Sequence, residues 1–211
     1  MIEHEAQEWV DHLDRLAVEA TSQTLQEMGF VQAPIAHLLL DEVDPPYLGY
    51  VTCRQFHRGE DAARAVAGLG AFGSMFGASR LIVSWEYRDL AVALEQPDAH
   101  AAPSGVVVLD ATRTGHSVRW HPMRMHPGPV VGGLQTVQAE WGETRQHDRG
   151  ALPEPVNALL GFWRSPTTWA DGDIVESYET LVSGGYSMHW VDRDPAMPQP
   201  KWMRLLRSKR R

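Results

Sequence analysis

Lysine is nearly absent from this 211-residue chain. The only two lysines are Lys201 and Lys209, and every other basic residue is an arginine. P-loop nucleotide sites, kinase-type sites and pyridoxal Schiff bases all require a lysine. The sequence before residue 201 therefore excludes these classes of enzyme. Arginine usage of this kind is typical of the high-GC coding of actinobacteria.

Cysteine and long apolar runs are also scarce. A single cysteine, Cys53, excludes an internal disulfide and a thiolate-rich zinc or iron–sulfur site. No uncharged apolar run reaches the roughly 18 residues that a membrane-spanning helix needs. The acidic, amphipathic N-terminus is typical of neither a secretory signal nor a transit peptide. We expect a cytoplasmic protein in which Cys53 is buried and inert.

Basic residues are concentrated at one end of the chain. Residues 201–211 carry six basic and no acidic side chains, whereas the remaining residues carry all 27 acidic side chains of a chain with a net charge of −8. An acidic body repels a phosphate backbone. The charge distribution therefore predicts that nucleic acid contacts at most this basic tail, residues 201–211.

Hydrophobic periodicity predicts an α+β or α/β fold: a single domain over residues 1–194, with a mixed β-sheet flanked by helices. Gly184-Gly185, between two alternating segments, predicts a C-terminal β-hairpin. Residues 195–200 are typical of a proline-rich linker to the basic tail. Helices are expected over 3–28, 59–77 and 152–165, and strands over 36–43, 47–56, 80–87, 105–112, 116–125 and 134–141.

The segment Gly68-Leu-Gly70-Ala-Phe-Gly73 matches the dinucleotide-binding pattern G-x-G-x-x-G. In that motif the glycines follow a strand and open a helix. Here they follow the helix-forming segment "EDAARAVA", and the residues left before the next strand are too few for a crossover helix. The glycines therefore predict a helix that packs closely on a neighbouring element, not a cofactor site.

Polar side chains follow three strands at the points where the strands end. The connections around the third strand are long enough for parallel crossovers, which would bring these carboxyl ends to one edge. Glu86 and Asp110 would then hold Mg²⁺, with Asp89 as a further catalytic carboxylate. The alternative is that the acids are solvated or paired with arginines, and antiparallel third and fourth strands would separate them. The assisting residues would be His57, Arg88 and Arg113.

Tryptophans suggest two further candidate surfaces. Trp163 and Trp169 flank a loop and either anchor a partner or pack on the core. In a helical tail, Trp202, Leu205 and Leu206 would oppose the basic residues Arg204 and Arg207. Such a tail docks an acidic partner, an anionic surface or nucleic acid, or it is a solubilising end, or it folds back onto the protein's own acidic body.

The sequence contains no complete catalytic motif. Its leading interpretation is an accessory protein that binds a protein or small-molecule partner without a cofactor, possessing no membrane span and forming a homodimer. The first alternative is a metal-dependent hydrolase that uses Mg²⁺ at the strand-end carboxylates. The second is a nucleic-acid-associated regulator that makes contact through the basic tail.

Overall fold

The computed structural model describes residues 2–192 together with 200, 202, 203 and 206, excepting the side chains of residues 2–6 and 131. The predicted linker 195–200, apart from Pro200, lies outside the described residues. The elements are α1 (Ile2–Met28), β1 (Ile35–Leu39), β2 (Tyr47–Thr52), α2 (Glu60–Met75), β3 (Arg80–Glu86), α3 (Tyr87–Ala93), a 3₁₀ turn (Ala99–Ala101), β4 (Gly105–Thr112), β5 (His116–Val131), β6 (Leu134–Trp141), β7 (Arg145–Asp148), α4 (Glu154–Arg164), α5 (Asp171–Ser183) and β8 (Ser187–Trp190).

The eight strands form one curled sheet flanked by helices, which confirms the predicted α+β class. The strand order is β6-β5-β4-β3-β1-β2-β8, and β7 pairs with β5. Every pairing among the described residues is antiparallel. The parallel arrangement of β3 and β4 on which the predicted carboxylate site depends is therefore absent, and the antiparallel alternative holds. The short helix α3 stays at the edge of the sheet and returns the chain to the point where β3 ended, so β4 runs in the opposite direction.

Helices cover both faces of the sheet. On one face, α2, α4 and α5 pack on strand residues such as Leu38, Leu81 and Leu109, which are fully buried. On the other face, α1 buries Val10 and Leu13 against β1, β3 and β4. Alternation along the buried strands supplies apolar side chains to both layers. The sheet edges, and not its faces, are therefore the places where a site can open to solvent.

The glycines of α2 allow close contact with neighbouring elements, as predicted. A Cβ atom on Gly70 would lie 2.3 Å from the carbonyl oxygen of Leu159 in α4, and one on Gly73 would lie 2.9 Å from the Trp163 ring. A Cβ on Gly68 would meet the Tyr186 hydroxyl at 2.2 Å. All three glycines lie inside a helix. The interpretation as a packing motif is therefore confirmed.

The predicted C-terminal hairpin is wrong. Residues Asp171–Ser183 form α5, whose buried residues Ile174, Val175 and Tyr178 recur at helical spacing. Gly184 caps this helix, and Gly185 follows with a φ of +103°, which favours glycine. The next strand, β8, pairs with β2 instead of a preceding hairpin arm. The glycine pair ends a helix here, a role that local sequence does not distinguish from a hairpin turn.

Candidate functional site

The carboxyl ends of β2 and β3 meet at one edge of the sheet. Both strands run antiparallel to β1, which lies between them, so they are parallel to each other across one intervening strand. The helix α2 connects them. Ligands of sheets built from such units bind beyond the carboxyl ends of the parallel strands. The prediction that residues after β2 and β3 share an edge is thus correct, and a cleft lies there.

This strand-end cleft has a volume of about 610 Å³. Three segments form its walls: the connection from α1 to β1, the connection from β2 to α2, and the end of β3 with α3. The backbone N–H of Gly59 donates to the carbonyl oxygen of Ala93 at 2.7 Å, which joins the second wall to the third. The lining residues are Phe30, Val31, Gln32, Ala33, Pro34, Arg54, Gln55, Phe56, Arg58, Trp85, Glu86, Asp89, Leu90, Val92 and Ala93.

Glu86 lies in the cleft wall but is engaged by the backbone. Its carboxylate caps α3 by accepting the N–H of Asp89 at 2.5 Å, and it accepts the N–H of Gly105, the first residue of β4, at 2.8 Å. The side chain is almost fully buried. Burial raises the pKa of Glu86, and the two N–H donors act in the opposite direction. Glu86 therefore ties β3, α3 and β4 together at this edge.

Asp89 lies in the first turn of α3 and is solvent-exposed. Partial burial raises its pKa, and the neighbouring guanidinium of Arg88 lowers it. Arg88 itself does not line the cleft. Asp89 is thus the one sequence-predicted acid whose carboxylate lines the cleft without a hydrogen-bond donor among the described residues.

Two arginines from the β2–α2 connection line the cleft. One is in an ion pair, and the other has no partner among the described residues. Arg54 forms a bidentate ion pair with Asp61, with a shortest distance of 2.5 Å. Arg58 is exposed and has no ion pair or side-chain hydrogen bond with any other described residue. His57, the residue predicted at this strand end, does not line the cleft, and its backbone N–H donates to Asp61 at 2.8 Å.

Trp85 lines the same wall and carries an unsatisfied donor inside the protein. The indole is 4% exposed and lines the cleft. Its Nε1–H is the only fully buried side-chain nitrogen or oxygen without a hydrogen-bond partner within the described part of the chain. Buried donors are nearly always satisfied, because leaving one unpaired costs about 1–3 kcal/mol. This nitrogen is fully buried, so it is the ring of Trp85, and not its N–H, that the cleft presents to a ligand.

The predicted convergence of Glu86 and Asp110 is wrong. Because β3 and β4 are antiparallel, Glu86 pairs with Val106 and Asp110 pairs with Ile82, four positions away along each strand. Asp110 instead accepts two hydrogen bonds from Arg80, at 2.6 and 2.8 Å. No group of three His, Cys, Asp or Glu side chains suited to a metal ion occurs among the residues described. The two carboxylates proposed to hold Mg²⁺ therefore do not meet.

Arg113 and the two tryptophans of the proposed anchor patch contact residues of the core. Trp163 is fully buried, and its indole donates to the carbonyl oxygen of Ala78 at 2.9 Å. Arg113 donates to the carbonyl oxygen of Trp163 and lies 4.8 Å from its ring centroid. Trp169 is half-buried and donates to Ser74 at 3.1 Å. The core-packing alternative is confirmed, and the prediction of Trp163 as an exposed anchor is wrong.

The described part of the basic tail packs on the protein itself. Trp202, Met203 and Leu206 are buried. The Trp202 ring lies 4.5 Å from that of Phe76 and 5.2 Å from that of Trp190. The alternative of a tail that folds back onto the body is therefore supported, and Trp202 is not available for stacking with a base. The other predicted tail residues, Arg204, Leu205 and Arg207, lie outside the described residues.

A second polar cluster connects α1 to β5. The buried imidazole of His121 is 2.8 Å from Asp14 through Nε2 and 3.0 Å from the Thr144 hydroxyl through Nδ1. Arg119 bridges Asp14 and Asp11 at 3.3 and 2.7 Å. Because Asp14 also binds Arg119, the cluster is best explained as a polar network that holds α1 on the sheet.

Sequence reasoning identified the correct edge but missed most of the cleft. Phe56 and Arg58 follow the same strand as His57, so the rule that selected His57 applies equally to them. Trp85 directly precedes Glu86. Phe30 comes from the α1–β1 connection, and no pattern in the sequence linked that segment to this edge. The cleft therefore depends on a three-segment arrangement that only the fold reveals.

Comparisons with known proteins identify no relative. No protein-family model, curated protein or solved structure matches this chain. Within the described residues, no helix combines the length and the apolar character needed to cross a membrane.

Proposed function

We propose that this protein binds a small, largely apolar molecule in the strand-end cleft and acts by binding instead of catalysis. The observation that carries the proposal is the cleft itself, with its volume of about 610 Å³ beyond the ends of β2 and β3. Ligand sites in proteins typically measure about 300–1,000 Å³ and combine apolar walls with a few polar groups. Nine of the fifteen lining residues are apolar.

The geometry supports binding over the two alternatives. A hydrolase of the predicted kind needs Glu86 and Asp110 together, but Asp110 is paired with Arg80 elsewhere, and Glu86 is engaged by two backbone N–H groups. A nucleic-acid regulator needs an available tail, and the described tail residues are buried. Contact through Arg204 and Arg207 stays a prediction, as do a protein partner and a homodimer.

A cytoplasmic location is part of the proposal. It is supported by the single thiol, which is buried in the core next to β2. Burial raises the pKa of Cys53 to about 12, so the reactive thiolate is suppressed at neutral pH. A protein whose single cysteine is buried in the core forms no internal disulfide and does not need an oxidising compartment.

The binding proposal is tested with the uncharged fluorophore N-phenyl-1-naphthylamine, whose emission increases in apolar sites. We expect saturable binding to the wild type. Ala33→Trp places a bulky ring at an exposed position in the cleft lining and should weaken binding by about tenfold or more. The matched control, Ala151→Trp, adds the same ring at an exposed position outside the cleft and should bind like the wild type.

Absence of saturable binding to the wild type would contradict the proposal. Equal binding by the two tryptophan variants would contradict the location of the site. Circular dichroism and urea unfolding of both variants identify any loss of affinity that arises from misfolding.

A further inference from the structure

We infer that the ligand of the strand-end cleft carries an anionic group on a flat apolar body and that Arg58 binds this group. The inference rests on the proposed binding function and adds the chemical class of the ligand. It follows from the unpaired guanidinium of Arg58 in the cleft wall and from the aromatic lining.

Arg58 is the cation of the cleft that lacks a counter-charge within the described residues. The other lining arginine, Arg54, is held by both carboxylate oxygens of Asp61 and also donates to the carbonyl oxygen of Gln55 at 2.8 Å. Arg58 has neither kind of partner and is solvent-exposed. A guanidinium with free N–H groups recognises carboxylate, sulfonate or phosphate oxygens in bidentate geometry.

The two carboxylates of the cleft differ in how they are presented to a ligand. Glu86 is buried and accepts two backbone N–H groups, so it is not presented to a ligand. Asp89 is exposed; desolvation raises its pKa, and the neighbouring guanidinium of Arg88 opposes that shift. The charged lining side chains are two arginines and two acids, so the wall is formally neutral. Arg58 is its one arginine without an ion pair among the described residues.

Aromatic residues define the remainder of the ligand. The rings of Phe30, Phe56 and Trp85 line the cleft, and Phe30 is 58% exposed. Flat apolar molecules bind between such rings through burial and stacking, worth about 0.5–1.5 kcal/mol per ring pair beyond area alone. An aromatic monoanion therefore fits both the apolar walls and the free guanidinium.

The test compares two fluorophores that differ mainly by one charge. The probe 1-anilinonaphthalene-8-sulfonate carries a sulfonate on nearly the same ring system as the uncharged N-phenyl-1-naphthylamine. We expect Arg58→Gln to weaken binding of the sulfonate by about tenfold and to leave binding of the uncharged probe within about twofold. The control, Arg145→Gln, removes an exposed arginine outside the cleft and should change neither affinity.

The outcomes separate this inference from the binding proposal. If both probes bind, Ala33→Trp displaces both, and Arg58→Gln affects neither, the cleft binds apolar molecules but the anionic class is wrong. If Arg58→Gln and Arg145→Gln weaken sulfonate binding equally, general charge explains the effect and the assignment to Arg58 is wrong. If Ala33→Trp displaces neither probe, the binding proposal itself fails.

Discussion

At the residue scale, buried polar side chains hold neighbouring elements of this protein in place. The carboxylate of Glu86 satisfies the first backbone donors of two elements, and a carboxylate in that role contributes to stability through charge-assisted hydrogen bonds. The imidazole of His37 is 7% exposed and lies 2.8 Å from the Tyr47 hydroxyl through Nδ1. Each polar group has a partner, and burial disfavours the charged form of both.

His37 makes stability depend on pH. Burial lowers the pKa of His37 from 6.5 to about 4. Below pH 6.5 the unfolded chain therefore binds a proton that the folded chain does not, so the free energy of unfolding decreases as the pH falls towards 4. We expect urea unfolding to show a loss of about 2 kcal/mol between pH 7.5 and pH 5 from this group alone.

The variant His37→Gln should remove that part of the pH dependence, whereas His100→Gln, at an exposed position, should keep the wild-type dependence. Identical pH profiles for the two variants would show that His37 is not the responsible group.

At the element scale, close contact between α2 and α4 determines how the helical layer lies on the sheet. Gly70 and Gly73 bring the α2 backbone against Leu159 and Trp163. The sequence predicted this packing because glycines at helical spacing have a direct steric consequence. It did not predict that α4 would be the partner, since helix-to-helix contacts depend on the path of the whole chain.

Substitution of Gly70 tests this contact. In Gly70→Ala the new methyl group would lie 2.3 Å from a backbone carbonyl oxygen, which cannot move without displacing α4. We expect a loss of about 2 kcal/mol or more in the free energy of unfolding. Gly161→Ala, inside α4 with no atom within 4 Å of the added carbon, should instead raise stability by about 0.5–1 kcal/mol. Equal effects in denaturant titrations would contradict the packing.

Sequence reasoning misassigned the elements whose residue patterns fit two different structures. The segment Asp171–Ser183 alternates in part, and its glycine pair is equally suited to a hairpin or to a helix end. The sequence left the direction of β4 undetermined for a related reason. A connection of this length can lead into either a parallel or an antiparallel strand. In the structure Glu86, the last residue of β3, accepts backbone N–H groups from α3 and from the start of β4 and so holds these elements together.

At the scale of the whole molecule, helices on both faces leave the strand ends as the open part of the structure. The packing of α1 on one side and of α2, α4 and α5 on the other buries the sheet. The cleft forms where β2 and β3 end side by side across β1. The sequence located residues of this edge from the order of strands and helices. The cleft's volume and its free guanidinium required three separate segments to be placed in space.

The most direct test of the account is a ¹H–¹⁵N correlation spectrum of the indole N–H signals during titration with N-phenyl-1-naphthylamine. Spectra of Trp85→Phe and Trp163→Phe assign the two signals of interest. The account predicts a saturable shift of the Trp85 signal, because this indole ring lines the cleft. The Trp163 signal should stay in place, because that indole is buried and bonded to Ala78. A Trp85 signal that does not move at saturating probe would contradict the central claim that the cleft is a ligand site.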